Sequence, residues 1–354
     1  MTARGLALQL LLALLLLGGC SRMRTHTFEV AYVSAPQVVL RDRVAAVYNK
    51  QGYVKNGERV EILERERRFA HVRTASGLDG WMEQRYLVTQ DVFNGFQKLA
   101  QQEVNAAVQG TATTRNETNM HVEPGRDTDH LYQLAQGAKL LLLKRGTAEK
   151  PGAPPKPVIG SPKAEASRKD SSKQEPPPPA LEDWWLVRDP DAHVGWVLGR
   201  MLDVDVPMEV AQYAEGQRIV AFFVLNEVQD HDDQGNARKV PQYLMLLTEP
   251  KDGMPFDYNQ ARVFTWNLKR HRYETAYRER LSGVLPVTIS HEVFDKEGDL
   301  PTFVLRVQDD QGGVTERKYK LNTPIVRRVL APGEVVSHQA SAAGRQHKAK
   351  RKRR

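Results

Sequence analysis

Short runs of β-branched and aromatic residues, separated by glycine turns, recur along most of the chain. Four such runs lie between Ala31 and Val88, and the run 69–73 alternates between the two sides of a strand. Turn dipeptides such as Asn56-Gly57 separate the runs. Many short strands within fewer than about 65 residues are typical of a small closed sheet. Residues 31–90 are therefore predicted to form a first barrel.

The strand pattern is interrupted between Asp91 and Gln109 by apolar residues that recur at spacings of three and four. This spacing places them on one face of an amphipathic helix, and they are Phe93, Phe96, Ala100, Val104 and Ala107. Asp91 is positioned to cap the start of the helix and Gly110 to end it. We therefore expect a connector helix over residues 91–110.

A second strand-rich stretch covers residues 111–205, with strands predicted at 140–143, 184–187 and 195–197. Between the first two of these strands lies the segment 146–182, which is rich in Pro, Lys, Ser and Ala. A segment of this composition cannot bury a core. Residues 111–205 are therefore predicted to form a second barrel that carries a disordered insertion at 146–182.

The last strand-rich region runs from Arg218 to about Leu330 and contains at least seven candidate strands. Polar connections such as Asp295-Lys296-Glu297-Gly298 have the composition of hairpin turns. Residues 206–332 are therefore expected to form a C-terminal β domain, either an antiparallel sheet or a sandwich. The predicted fold is mainly β, with two small barrels joined by a helix and followed by this domain.

The two predicted barrels end on the same sequence pattern. Each has an aromatic-led strand ending in Val-Arg, at 69–73 and 184–188, and then a Gly-Trp dipeptide, at 80–81 and 195–196. This pattern resembles the bacterial SH3-like (SH3b) domain, a small β-barrel. The family's opening Asn-Val-Arg-x-Gly-Pro stretch is matched at 119–125 with Pro and Gly exchanged, and poorly at 39–43. The resemblance implies two SH3-like barrels.

Domains of this family serve as wall-targeting or protein-binding modules, so the resemblance implies that the barrels bind peptidoglycan or an envelope protein. The candidate ligand contacts are tryptophans, because aromatic rings can stack on sugar or peptide. They are Trp81, Trp184, Trp185 and Trp196. Packing in the core is the alternative for each tryptophan.

The first residues have the order of an export signal, in which a short charged start precedes an apolar run from Leu6 to Leu17. The run is too short for an ordinary spanning helix of roughly 20 residues. It ends in Leu17-Gly18-Gly19-Cys20, which resembles the bacterial lipoprotein box. The resemblance implies a signal peptide at 1–19, lipid on Cys20 and a tether at 20–30. An ordinary signal peptide or an anchor helix is the alternative.

Cys20 is the only cysteine in the sequence, which excludes an intrachain disulfide, a cysteine-ligated zinc site and a thiol nucleophile. Ser21 follows it, and resemblance to lipoproteins of double-membraned bacteria then favours the outer membrane, facing the periplasm. His231, His271 and His291 have no metal-site spacing, and the sequence contains no nucleophile elbow or Walker loop. We expect no catalytic residue, no metal and no cofactor, although an enzyme of unfamiliar class stays open.

The formal net charge of +8 is concentrated at the C-terminal end. Seven cations and no acid follow Glu334, namely Arg345, Lys348, Lys350, Arg351, Lys352, Arg353 and Arg354. The rest of the mature chain is close to neutral, so a nucleic-acid-binding face is not expected. The tail 333–354 is predicted to be disordered, with anionic lipid or an acidic polymer as its possible contact.

These features predict a membrane-anchored, non-enzymatic envelope lipoprotein whose SH3-like modules bind peptidoglycan or an envelope protein. The alternative is a structural or assembly factor that docks another envelope protein through its C-terminal β domain. In that case the barrels act as spacers.

Overall fold

The computed structural model describes residues 28–330 except 46, 153–179, 233 and 310. Cys20, the predicted signal peptide, the basic tail and most of the predicted insertion therefore lie outside the described residues. The described strands form three seven-stranded antiparallel sheets, so the chain is mainly β as predicted. No helix among the described residues has the length and apolar character needed to cross a membrane. The chain divides into two compact units. The second unit contains the chain from Gln90 onward together with Ser34–Pro36.

The first sheet has the strand order β3-β2-β6-β5-β4-β1-β7. Its strands are β1 Glu29–Val33, β2 Gln37–Arg41, β3 Lys50–Lys55, β4 Arg59–Glu66, β5 Phe69–Thr74, β6 Asp79–Glu83 and β7 Leu87–Thr89. Its core contains Leu40, Ala70, Val72 and Met82, which are at most 1% exposed. The sheet begins two residues before the predicted boundary because Glu29 pairs with Ile62 of β4. A short 3-10 turn, Gln84–Tyr86, precedes the last strand.

The second sheet has the order β10-β9-β13-β12-β11-β8-β14. Its strands are β8 Gly110–Thr114, β9 Thr118–His121, β10 His130–Leu134, β11 Lys139–Glu149, β12 Leu181–Arg188, β13 Val194–Leu198 and β14 Leu202–Val204. When the strands of each sheet are counted from its own first strand, the two orders are identical. A 3-10 turn, Gly199–Met201, again precedes the last strand.

The connector helix α1 spans Gln90–Gln102 and is shorter than the predicted 91–110. It packs on the second sheet, where Leu99 and Ala100 contact the cluster formed by Leu143, Leu186 and Val194. Just beyond the helix, the Arg188 guanidinium donates hydrogen bonds to the backbone carbonyls of residues 103 and 104, at 2.5 and 3.3 Å. This side-chain capture holds the chain in a non-helical path where the apolar spacing alone predicted continued helix.

Strands β11 and β12 reach further into the segment 146–182 than its composition predicted. Thr147 pairs with Asp183, Ala148 with Glu182 and Glu149 with Leu181. The hairpin therefore continues on both sides of the residues that lie outside the description. Its pairing explains the difference, because the backbone groups of 147–149 are satisfied across the strands.

The third sheet has strands in consecutive order, and it is a single antiparallel sheet rather than a sandwich. Its strands are β15 Arg218–His231, β16 Ala237–Thr248, β17 Tyr258–Asn267, β18 Arg272–Phe294, β19 Gly298–Gln308, β20 Val314–Asn322 and β21 Ile325–Val329. The short helix α2, Met208–Ala211, places Val210 in a core cluster with Tyr243, Met245 and Phe264. Strand β16 is buried on both of its faces from Tyr243 to Leu247.

A buried ion network joins the second sheet to the third. The Arg145 guanidinium on β11 lies 2.6 Å from an Asp183 oxygen and 3.1 Å from an Asp257 oxygen, and its side chain is 7% exposed. Asp183 also accepts the guanidinium of Arg218 at 2.9 Å and the backbone N–H of Gly253 at 2.9 Å. These contacts make the second barrel and the C-terminal sheet parts of one compact unit.

Candidate functional site

The two faces of the first sheet differ in chemistry. His71 pairs with Trp81 across β5 and β6, and these two side chains alternate with the core residues Ala70 and Met82. The His71 and Trp81 rings stack with centroids 5.0 Å apart and an angle of 15° between their planes. The face opposite the core thus carries aromatic and polar groups that are partly exposed.

A cavity of about 640 Å³ lies beside the loop 42–49 and the turn 67–68 of the first sheet. Its lining combines arginines with aromatic and small apolar side chains, namely Arg41, Val44, Ala45, Tyr48, Arg67, Arg68 and Phe69. Residues of this kind can hold a negatively charged group and the apolar body attached to it.

The arginines of this cavity lie against aromatic rings rather than against carboxylates. The Arg41 guanidinium carbon is 4.1 Å from the centre of the Tyr48 ring and 5.7 Å from that of Phe69. The Arg68 guanidinium carbon is 5.4 Å from the Phe69 centroid. Among the described residues, the ion pairs of this barrel use other cations, and none of them holds Arg41, Arg67 or Arg68.

Hydrogen bonds fix the turn that carries two of these arginines. The Gln84 side chain donates to the carbonyl of Phe69 at 2.8 Å and to that of Arg67 at 3.2 Å. Arg67 itself has a φ of 51°, in the left-handed region that a two-residue hairpin turn requires. The Arg65 guanidinium in turn donates a hydrogen bond to the side-chain oxygen Oε1 of Gln84 at 3.0 Å. The turn is therefore held in place before any ligand arrives.

The loop on the other side of the cavity is closed by Asp42. Its carboxylate accepts the backbone N–H of Asn49 and the side-chain amide of the same residue, both at 2.8 Å. The backbone hydrogen bond from Asn49 is the leading cause that lowers the pKa of Asp42. The ionised carboxylate thus ties together the two ends of the loop that carries Tyr48.

The four tryptophans predicted as ligand contacts have different surroundings. Trp81 is partly exposed on the first barrel, beside His71. Trp184 and Trp185 are 2% and 8% exposed, because neighbouring residues of a strand point to opposite faces and both faces of β12 are covered. Trp196 packs on the cluster that contacts the connector helix. Trp81 is the one of the four that belongs to the same barrel as the arginine cavity.

The second barrel places residues at the same register positions as the first. Arg41 pairs with Trp81 in the first sheet, and His121 pairs with Trp196 in the second. Phe69 pairs with Glu83, and Trp184 pairs with Leu198, at the corresponding step of each sheet. The position of Arg41 in the first barrel therefore corresponds to His121 in the second, and the position of Phe69 corresponds to Trp184.

One group of three side chains has the proximity that a metal ion would require. Ligand atoms of Asp189, Asp191 and His193 all lie within 4.8 Å of one another in the turn between β12 and β13. His193 Nδ1 already lies 2.8 Å from an Asp189 oxygen, and this hydrogen bond raises the pKa of His193. The hydrogen bond between His193 and Asp189 explains their proximity without a metal ion. The sequence search considered other histidines and missed this group, whose Asp-x-Asp-x-His spacing could have pointed to it.

Sequence reasoning also missed the arginine cavity. Arg41 lies in the stretch 39–43, which matches the family's opening motif poorly, and no role was predicted for Arg67 and Arg68. The available signal was the group of three arginines followed by an aromatic residue in 65–69, combined with Tyr48 in the facing loop.

Comparison with known proteins gives one family match. Residues 40–88 match the family model described as Bacterial SH3 domain. A search of curated proteins finds no match. The matched residues contain all seven residues that line the arginine cavity.

Solved structures aligned with this chain include NlpC2 from Trichomonas vaginalis, with 12% identity over 86% of this chain and 96% of that one, and a TM-score of 0.16. An NlpC/P60 family protein from Bacillus cereus aligns with 9% identity over 83% of this chain and 95% of that one, at a TM-score of 0.22. TM-scores of this size carry no conclusion about this chain's fold or activity. Residues 40–88 therefore form a bacterial SH3 domain, as the family model and the order of its strands indicate together.

Proposed function

We propose that this protein is a membrane-anchored, non-enzymatic component of the bacterial envelope, and that its first barrel binds the acidic peptides of peptidoglycan. The observation that carries the proposal is the cavity in which Arg41, Arg67 and Arg68 surround Tyr48 and Phe69 without an ion pair to any carboxylate in the described part of the chain. The cavity lies within a bacterial SH3 domain, a type of module that suggests peptidoglycan or envelope binding.

The chemistry of the ligand follows from the cavity. Three guanidinium groups favour carboxylates, with which they form paired, charge-assisted hydrogen bonds. Two aromatic rings and the side chains of Val44 and Ala45 favour short aliphatic groups next to the charge. Peptidoglycan stem peptides combine free carboxylates with alanine side chains. Trp81, on the same barrel, is proposed to contact the attached sugar.

The anchoring part of the proposal rests on the sequence Leu17-Gly18-Gly19-Cys20. Lipid on Cys20 would hold the binding module at the membrane surface, where peptidoglycan lies within reach, and Ser21 favours the outer membrane facing the periplasm. Two or three acyl chains give stable attachment, because each buried methylene contributes about 0.8 kcal/mol. Cys20→Ser should move the protein from the membrane fraction to the soluble fraction.

Retention on purified peptidoglycan sacculi tests the binding role. The full chain is expected to sediment with sacculi, and Arg67→Gln with Arg68→Gln is expected to remain in the supernatant. Arg59→Gln is the matched control, since this exposed arginine of the same barrel already pairs with Glu61. Equal sedimentation of all three proteins, or of none, would overturn the proposal.

A second candidate function is assembly, in which the C-terminal β domain docks another envelope protein. It is favoured by a groove of about 660 Å³ whose lining includes Phe222, Phe223 and Ile289. Val224 in the same groove is 52% exposed. An apolar surface of this kind is typical of protein contacts. Failure of the sacculus experiment, with the fold intact, would favour this candidate.

A further inference from the structure

The second barrel has its own cavity, of about 400 Å³, lined by β9, β10, β12 and the turn 199–201. Its lining is polar, with an aromatic and aliphatic part, and consists of Glu117, Thr118, Asn119, His121, Arg126, His130, Gln133, Trp184, Leu198, Arg200 and Met201. The volume suits a ligand of the size of a dipeptide end or a small organic acid.

The register of the sheets relates this cavity to the one in the first barrel. Arg41 pairs with Lys50 across β2 and β3, and the corresponding pair across β9 and β10 is His121 with His130. Arg41 lies 5.7 Å from the centre of the Phe69 ring, and the His121 ring lies 5.2 Å from that of Trp184, which corresponds to Phe69 by its pairing. The second barrel thus has two titratable groups where the first has two permanent cations.

His121 is held in one tautomer by its neighbours. Its Nδ1 lies 3.1 Å from the Thr128 carbonyl oxygen, so Nδ1–H donates to that oxygen and Nε2 is the nitrogen that gains a proton. The side chain is 8% exposed, and burial lowers its pKa, with the His130 ring 5.4 Å away adding to the effect. His121 is therefore uncharged at neutral pH, and an anion in the cavity would favour its protonation.

The other charged groups facing the histidines are largely paired. The Arg126 guanidinium in the loop 122–129 holds the Glu182 carboxylate of β12 through Nε at 2.7 Å and through a second nitrogen at 2.5 Å. Glu117, before β9, accepts a hydrogen bond from Gln133 of β10. Arg200 in the turn forms no ion pair among the described residues. Arg126 is the leading cause that lowers the pKa of Glu182, and the charge of Arg200 adds to this effect without an ion pair, so Arg200 is the lining cation that is left to meet a ligand.

Trp184 supplies an independent sign of a missing partner. Its side chain is 2% exposed and lines the cavity, yet its indole Nε1 has no hydrogen-bond acceptor in the described part of the chain. A buried donor without an acceptor costs free energy that a ligand oxygen can recover. The edge of the His121 ring lies against the indole, with centroids 5.2 Å apart and planes at 77°.

We infer that this second cavity binds a small ligand ending in a carboxylate, and that protonation of His121 switches the binding on below neutral pH. Arg200 and the protonated His121 meet the carboxylate, and Trp184, Leu198 and Met201 contact the aliphatic part. The site goes beyond the proposed function, because it lies in the other barrel and responds to pH where the arginine cavity does not.

Titration calorimetry with N-acetyl-alanyl-alanine as the probe, and its carboxamide as the neutral twin, tests the inference. The full chain carries Arg41→Gln and Arg68→Gln, which removes the first site from the measurement. Binding of the acid is expected to be at least about tenfold tighter at about pH 5.5 than at about pH 7.5, since one linked proton changes the affinity by up to about tenfold per pH unit. The carboxamide is expected not to bind.

His121→Gln with His130→Gln is expected to abolish the pH dependence, while the matched control His291→Gln, an exposed histidine of the third sheet, should leave it unchanged. Arg200→Gln, an exposed change that spares the core, should weaken binding at both pH values. Absence of acid binding at the lower pH, or a pH dependence that survives loss of both histidines, would overturn the inference. Every sample carries the substitutions that remove the arginine cavity of the first barrel. Neither result therefore bears on the proposed function, which the sacculus experiment tests separately.

Discussion

Arg41 and His121 occupy the same register position in two sheets of identical strand order, and each pairs with the tryptophan of a Gly-Trp dipeptide. Guanidinium groups as a class are permanent cations, whereas burial lowers the pKa of the His121 imidazole, which is uncharged at neutral pH. One barrel therefore offers a permanent anion site, and the other offers a site that depends on pH. This difference between two matched positions underlies the functional account.

Arg145→Met should destabilise the unit formed by the second barrel and the third sheet. The substitution leaves the buried carboxylates of Asp183 and Asp257 short of a cation, so the free energy of unfolding in urea should fall by about 3–5 kcal/mol. Arg115→Met is the matched control, because its ion pair with Asp203 is exposed and should contribute less than about 1 kcal/mol. Equal losses in the two variants would contradict a buried network.

Two tyrosine-to-phenylalanine changes in the third sheet should have opposite effects. The Tyr258 hydroxyl is buried without a partner among the described residues, so Tyr258→Phe should leave the free energy of unfolding unchanged or raise it by up to about 1 kcal/mol. The Tyr319 hydroxyl donates to a Glu279 oxygen at 2.6 Å, so Tyr319→Phe should lower it by about 1.5–3 kcal/mol. A loss at Tyr258 as large as that at Tyr319 would show that its hydroxyl has a partner after all.

Gly283 should not tolerate a side chain. A Cβ at this position of β18 would lie 2.1 Å from a ring carbon of Tyr258, which is fully buried. Gly283→Ala should therefore lower the midpoint of thermal unfolding, with a cost of about 1–3 kcal/mol from overpacking. Gly152→Ala serves as the control, because no atom of the described residues beyond its chain neighbours lies within 4 Å of the added carbon there. Similar midpoints for the two variants would mean that β18 shifts freely at this point.

The stability contributed by His193 should depend on pH. The hydrogen bond from His193 to Asp189 raises the folded-state pKa of the histidine above its usual 6.5. The stabilisation is thus complete below about pH 6.5 and is lost as the pH rises through the folded-state pKa. His193→Gln should cost more in free energy of unfolding at about pH 5.5 than at about pH 8.5. A cost that grows with pH would contradict the assigned ion pair.

The sequence was sufficient to predict a mainly β chain and the strand pairs that end each barrel. The aromatic-led strand and the Gly-Trp strand pair at Val72 with Gly80 and at Val187 with Gly195, in the same register. Hydrophobic alternation carries this information locally. The end of the connector helix was not predictable in this way, because it depends on Arg188, which is 86 residues distant from Gln102 along the chain.

The candidate site was less predictable than the fold. Arg41, Tyr48 and Phe69 come together because β2, its following loop and β5 meet in the folded sheet. Tryptophan content pointed instead to Trp81, Trp184, Trp185 and Trp196. Trp184 and Trp185 are adjacent residues of a strand covered on both faces and are both buried, although Trp184 still lines the cavity of the second barrel. The residue types predicted that aromatic rings contact a ligand. The pairing of the strands, which the sequence does not show, decides which of these rings face an open cavity.

The central claim is tested most directly by calorimetric titration of the full chain with a peptidoglycan stem peptide. The titration is run at about pH 7.5, where His121 in the second site is uncharged. The peptide with free carboxylates should bind at least about tenfold tighter than its fully amidated form, and raised salt should weaken its binding. Arg41→Gln with Arg68→Gln should remove this preference, whereas Arg59→Gln should keep it. Equal affinity for the two peptides, or a preference that survives loss of Arg41 and Arg68, would contradict the account.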